Sequence, residues 1–221
     1  MLTKLRFVVV AVVMFASQRA HAQWMSSNGM SFNNPTSALI GTMIQGQMNQ
    51  QAMATALKRG NGGTAAPAVA RHQPISASDF KSSGQRMVVD GIVGGLTSTP
   101  AQKSALVGAV NQVFTAYEAK VRNNNVAYAM AFMFAAALVI DKGVALDDAQ
   151  TNNLAVQLND SIVGNAGFAN ASQGDRQKVY ETFVTIGSLM LLFNESGKTN
   201  ADSAKLAKAL ATQTFALLAP K

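Results

Sequence analysis

The chain has 221 residues, no cysteine, two histidines and a formal net charge of +7. Without cysteine it can form no disulfide, use no thiolate nucleophile and carry no lipid on an N-terminal cysteine. All acidic residues lie at or beyond Asp79, and from Ile75 onward the charges nearly cancel, leaving +1, so the basic excess belongs to the first third of the chain. A nucleic-acid reader concentrates basic side chains and stacking aromatics on one face. The near-neutral C-terminal part shows no such cluster, and no nucleic-acid partner is expected.

Residues 1–6 carry Lys4 and Arg6 without an acid. Residues 7–16 (FVVVAVVMFA) are wholly apolar, and Ala20-His21-Ala22 has the small-x-small pattern of a cleavage site. A basic start, a short apolar run and such a site are the parts of a secretory signal peptide. The ten-residue apolar run is half the roughly 20 residues a membrane-spanning helix needs. The expectation is a signal peptide over residues 1–22, cleavage between Ala22 and Gln23, and export to the periplasm or the medium.

Residues 23–74 form a low-complexity lead and linker rich in Gln, Asn, Met, Ser, Gly and Ala. Within it, Leu39, Ile40, Met43, Ile44, Met48, Met53 and Leu57 recur at spacings that suggest a helix over 36–58, interrupted by Gly41 and Gly46. A Met-rich face adapts to varied partners, so this segment could engage a protein partner or a membrane surface. The bland alternative is a short helix that docks on the domain or frays. Residues 59–74 (RGNGGTAAPAVARHQP) read as a flexible linker.

From residue 75 to 221 the sequence predicts an all-α domain, a compact bundle of about six helices. Ser76 or Ser78 caps the first, expected to run to Gly94, with Gly84, Gly91, Gly94 and Gly95 allowing a neighbouring backbone to come close. Thr99-Pro100-Ala101-Gln102 fits a capping box with proline at the first helical position, opening a helix to Arg122. Its apolar stripe is Leu106, Val110, Val113, Tyr117 and Val121. After the polar break 123–125, residues 126–140 are apolar on every side and read as the buried central helix, stopped at Gly143 by a left-handed cap. Asp147 with Gln150 opens the next helix, whose stripe is Leu154, Leu158 and Ile162 and whose stop is Gly164. Ser172 caps a helix to Gly197 with Val179, Phe183, Ile186, Met190 and Phe193 facing inward, and Asn200 caps the last. Short polar loops favour antiparallel neighbours, and no recurring register suggests a solenoid.

The residue types left in this domain narrow its chemistry. Its two missing types, histidine and cysteine, remove Ser-His-Asp and Cys-His catalysis and the usual zinc, haem and iron ligation. No cofactor or metal is expected, and no catalytic residue can be nominated. Asp147 and Asp148 diverge by about 100° on a helix and read as caps. Glu118, Asp141, Asp160, Asp175, Glu181 and Glu195 are spread over several helices, and an acid–base pair among them would have to assemble in space. Residues 194–202 (NESGKTNAD) lack the ligand spacing of a calcium loop, and GNGGT at 60–64 lacks the Lys-Ser/Thr of a phosphate loop. Tyr117, Tyr128 and Tyr180 are expected in the core with hydroxyls at its rim. Met130, Met133 and Phe134 are the candidate ligand-lining side chains, should the central helix border an apolar cavity.

The order of signal peptide, low-complexity lead and helical domain resembles a family of exported bacterial proteins known as a domain of unknown function. The domain opens on Ser78-Asp79-Phe80, followed by the apolar helix after Asn125 and QKVYETF at 177–183. The resemblance covers residues 75–220 and implies a helical domain; it implies no activity and no site. The leading functional expectation is an exported, non-enzymatic interaction or structural accessory protein. The alternatives are a carrier of an apolar ligand or lipid between helices, and a membrane-inserting helical protein.

Overall fold

The computed structural model describes residues 72–97 and 99–216. The expected signal peptide, the low-complexity lead and its helix at 36–58 lie outside the described residues. A 3-10 turn, Ile75–Ser78, is followed by seven α-helices: α1 Val89–Gly94, α2 Pro100–Glu118, α3 Val126–Lys142, α4 Asp148–Val163, α5 Ala166–Ala169, α6 Gln173–Ser196 and α7 Ala201–Ala216. Among the described residues there is no strand, only one isolated antiparallel bridge between Asp79 and Asn125. The fold is all-α, as the periodicity predicts.

The central pair is α3 and α6. α4 and α7 pack on α3, α2 and α7 on α6, and α1 fills the gap between α2 and α6. α3 buries all but four of its seventeen residues, alanines included, which is why its sequence shows no polar face. α3 meets α6 at Gly187, where a Cβ would lie 2.6 Å from Cε1 of Phe132 and 3.3 Å from Cα of Met133. α6 and α7 close against each other at Gly197, where a Cβ would lie 2.9 Å from Cα of Ala204. The close approaches therefore fall at these two glycines and not in the 84–95 cluster. A Cβ on Gly91 would meet nothing within 4 Å, and one on Gly94 would meet only the Lys103 side chain.

The caps are as the sequence predicts. Thr99 and Gln102 form a reciprocal capping box on α2, and Asp147 and Gln150 do so on α4. Ser172 and Asn200 accept the first free amides of α6 and α7, and Asn125, expected only as part of a polar break, does the same for α3. Gly143 ends α3 at φ 66°. Three local expectations are corrected. No helix spans 76–94, because Gly84 takes φ 81° and the amides of the intervening segment bond to side chains of α6. α2 ends at Glu118 and not at Arg122, whose guanidinium turns away to pair with Asp79, while Asn124 enters the left-handed region at φ 54°. A short helix, α5, is added after Gly164, capped by Asn165 and anchored by the buried ring of Phe168.

Candidate functional site

The polar side chains that converge in this molecule do so around residues 79–88, a non-helical strap laid across α6. Three α6 residues one turn apart, Gln173, Gln177 and Glu181, stand on one helix face. Gln173 Oε1 accepts from the Lys81 amide at 2.7 Å, and Gln177 Oε1 accepts from the Ser83 amide at 2.8 Å. Gln177 Nε2 donates to the Gln85 carbonyl at 2.6 Å. Glu181 Oε2 accepts from the amides of Met87 and Val88 at 2.6 and 3.1 Å. Four helical residues rise about 6 Å, close to the advance of two residues of extended chain. This match holds from Lys81 to Ser83; Gly84 at φ 81° then bends the strap, so that Ser83 and Gln85 share Gln177 before Met87 reaches Glu181.

Glu181 is 1% exposed, and its second oxygen accepts from Gln177 Nε2 at 2.8 Å. Its carboxylate sits where α1 begins, so it caps that helix from another element and meets the positive end of its dipole. Beside it, Arg86 forms a two-pronged pair with Glu118 at 3.0 and 2.7 Å and lies 3.6 Å over the Phe114 ring. Tyr180 donates to the same Glu118 oxygen at 3.1 Å. Burial first, and then the Glu118 charge, push the Tyr180 phenol far above the ordinary tyrosine range. It is a donor to Glu118 at any physiological pH and not a base.

The start of the strap is pinned the same way. Asp79 pairs with Arg122 through both oxygens and accepts from Asn125 Nδ2 at 2.7 Å. Asn125 also donates to the Ile75 carbonyl, and the Phe80 amide donates to the Asn124 carbonyl at 3.0 Å. Partial burial pushes the Asp79 carboxyl up, but the hydrogen bonds from Arg122 and Asn125 outweigh it and hold the group below the ordinary carboxylate range. Arg176 donates to the carbonyls of Asp79 and Phe168 and stacks on the Phe168 ring.

These groups are spent on one another. The described residues contain no cluster of three or more His, Asp or Glu side chains able to hold a metal ion. Glu118 and Glu181 come to adjacent residues of the strap, Arg86 and Met87, each held by donors of its own. Asp141 pairs with Lys142 and Lys208 and Asp175 with Lys178, both at the surface, and Asp160 holds His72. Met130, Met133 and Phe134 are fully buried on α3. Tyr117 and Tyr180 are core residues, and Tyr128 is half-buried. A shallow surface groove of about 670 Å³ runs along α7 between Ala204 and Gln213. No helix among the described residues is long and apolar enough to cross a membrane; α3, the most apolar, has seventeen residues and is about 25 Å long.

Sequence reasoning did not single out Gln173, Arg86 or Arg176, and it named Gln177 only within the 177–183 motif and gave it no role. The available signal was the polar spacing 173, 177, 181 running into an apolar helix; the partner, an irregular segment, has no periodicity to read.

A family model described as a family of unknown function (DUF6683) matches residues 2–216. The chain belongs to this family. The match reaches well N-terminal of the helical domain to which the sequence resemblance was confined. No curated protein matches the chain. No solved structure matches it either. Several of the residues that carry the resemblance are strap residues or their anchors: Asp79 and Phe80 at its start, Asn125 beneath it, and Gln177 and Glu181 along it.

Proposed function

We propose that this family member is an exported, non-enzymatic accessory protein. The helical domain is the scaffold, and the segment between the signal peptide and the domain, residues 23–74, carries the interaction with a protein partner. One observation carries the reading. The described domain lacks histidine beyond His72 and lacks cysteine, and its buried carboxylate, Glu181, is engaged by two strap amides and by Gln177. A carboxylate this buried does not come within hydrogen-bond reach of a substrate in solvent, which general acid–base work requires.

Export is tested by expressing the chain in a Gram-negative host and taking the intact mass from periplasm and medium. The expected product begins at Gln23; a product retaining residues 1–22 in the cytoplasm overturns export. The interaction is tested by capture from periplasmic extract with the chain and with a variant lacking residues 23–73. Loss of a specific partner on deletion is expected, and equal recovery from both removes the role of this segment.

A carrier of an apolar ligand is the second reading, motivated by the buried side chains of α3, with Met130, Met133 and Phe134 as the contact residues. Native mass spectrometry of protein purified without detergent would show a bound lipid mass; a single apo mass excludes it.

A further inference from the structure

Residues 81–87 of the strap are all exposed, whereas Phe80 and Val88 on either side are buried. Within this exposed stretch Arg86 has a shaped seat. Phe114 and Glu118 stand one turn apart on α2, and Tyr180 comes from α6. The fully buried Phe114 ring is the floor, 3.6 Å beneath the guanidinium. Glu118 is the wall: Oε1 accepts from Nη1 at 3.0 Å and Oε2 from Nη2 at 2.7 Å. Tyr180, 1% exposed, donates to Oε1 at 3.1 Å and fixes the orientation of the carboxylate. Glu118 is also the last residue of α2, whose final turn holds no basic residue, so the helix dipole favours a cation brought from elsewhere. A planar cation that stacks on a ring and forks around a carboxylate is a guanidinium; a compact ammonium cannot do both.

We propose that Phe114, Glu118 and Tyr180 form a guanidinium-binding site, filled here by the chain's own Arg86 and open by exchange to an arginine side chain of a protein partner. None of the three belongs to the strap. They stand on α2 and α6, which pack on each other, so floor and wall persist when Arg86 leaves. The Arg86 and Glu118 side chains are 34% and 24% exposed, so vacating the site takes rotation of one side chain toward solvent and no movement of a helix. The resident occupant is itself an arginine of an exposed, non-helical segment, and the site is therefore shaped for an arginine presented by a chain. Arg86 acts as a built-in competitor: a partner's arginine binds only to the fraction of molecules in which Arg86 has swung out. The site lies outside residues 23–74 and is independent of the role proposed for them.

The experiment is an NMR titration of the full chain and of Arg86→Ala, following the Phe114 ring and Glu118 signals. The probes are methylguanidinium, a capped Gly-Arg-Gly peptide and a capped Gly-Lys-Gly peptide. Arg86→Gln, which keeps a donor on the strap but cannot fork around a carboxylate, is a second vacated form. Both vacated forms are expected to bind methylguanidinium and the arginine peptide saturably, and the lysine peptide at least about tenfold more weakly. The unmodified chain should bind the arginine peptide about tenfold more weakly than Arg86→Ala, through competition from Arg86. Adding Glu118→Gln to Arg86→Ala should abolish binding. No saturable arginine binding by either vacated form, equal binding of the lysine peptide, or binding that survives Glu118→Gln overturns the site. Binding of methylguanidinium without the arginine peptide, or equal affinity in the unmodified chain and Arg86→Ala, overturns the exchange of Arg86 for a partner's arginine.

Discussion

Tyr117 and Tyr180 belong to one aromatic cluster, with ring centroids 6.3 Å apart, and differ in what their hydroxyls meet. The Tyr180 hydroxyl donates to Glu118, whereas the Tyr117 hydroxyl is fully buried and has no hydrogen-bond partner among the described residues. An unsatisfied buried hydroxyl carries its full desolvation cost, about 1–3 kcal/mol, whereas a satisfied one contributes about 1 kcal/mol. Tyr117→Phe is therefore expected to be neutral or stabilising, and Tyr180→Phe destabilising by about 1 kcal/mol, as read from urea denaturation midpoints at constant slope. Equal losses in both would show that the Tyr117 hydroxyl has a partner. The sequence placed both rings in the core through their helical spacing. It put the hydroxyls at the rim, which holds for Tyr180 but not for Tyr117, because spacing gives a residue's face and not the depth of its last atom.

At the scale of elements, two glycines make opposite predictions. Gly187 stands mid-helix where α6 meets α3, and a methyl group there would run into Phe132 and the Met133 backbone. Gly108 stands mid-helix in α2 with nothing within 4 Å of a Cβ. Glycine-to-alanine in a helix interior gains about 1 kcal/mol of propensity. At Gly108 nothing opposes the gain. At Gly187 it competes with overpacking of about 1–3 kcal/mol, made worse because the obstruction includes backbone. Gly108→Ala is expected to raise the thermal midpoint and Gly187→Ala to lower it; a rise in both would mean that the α3–α6 contact can open without cost. Neither sign is legible in the sequence, where both are single glycines in amphipathic helices. The caps were legible, because a cap bonds only to residues two or three positions away. The strap was not. Residues 79–88 give up their own helix for bonds to Gln173, Gln177 and Glu181, more than 90 positions along the chain.

For the whole molecule, acid is the telling perturbation. Asp79, Asp141 and Asp175 are all held below the ordinary carboxylate range. For Asp141 the causes are hydrogen bonds from Lys142 and Lys208, and for Asp175 those from Ser172 and Lys178. A depressed carboxyl contributes stability above its unfolded-state value of about 4, and that contribution is lost as pH falls through the lower folded value. The thermal midpoint should thus be level near neutrality and fall below about pH 4. Asp79→Asn should be less stable than the parent at pH 7 and converge on it near pH 2, because acid removes from the parent the charge that the variant already lacks. A constant gap between the two curves across this range would mean that Asp79 acts by shape and not by charge.

The amino-acid order alone determined that this is a helical chain, where most helices begin and end, that α3 is its buried centre, and which catalytic residue types its domain lacks. These follow from short-range rules: periodicity, capping and composition. Only the tertiary structure decided that Glu181 is a buried cap for another helix, that Arg86 and Glu118 close the strap over Phe114, and that His72 is held against Asp160. Those pairings join residues 32 to 94 positions apart. No local pattern encodes them, because what brings such residues together is the packing of α3 against α6 and of the other helices around that pair.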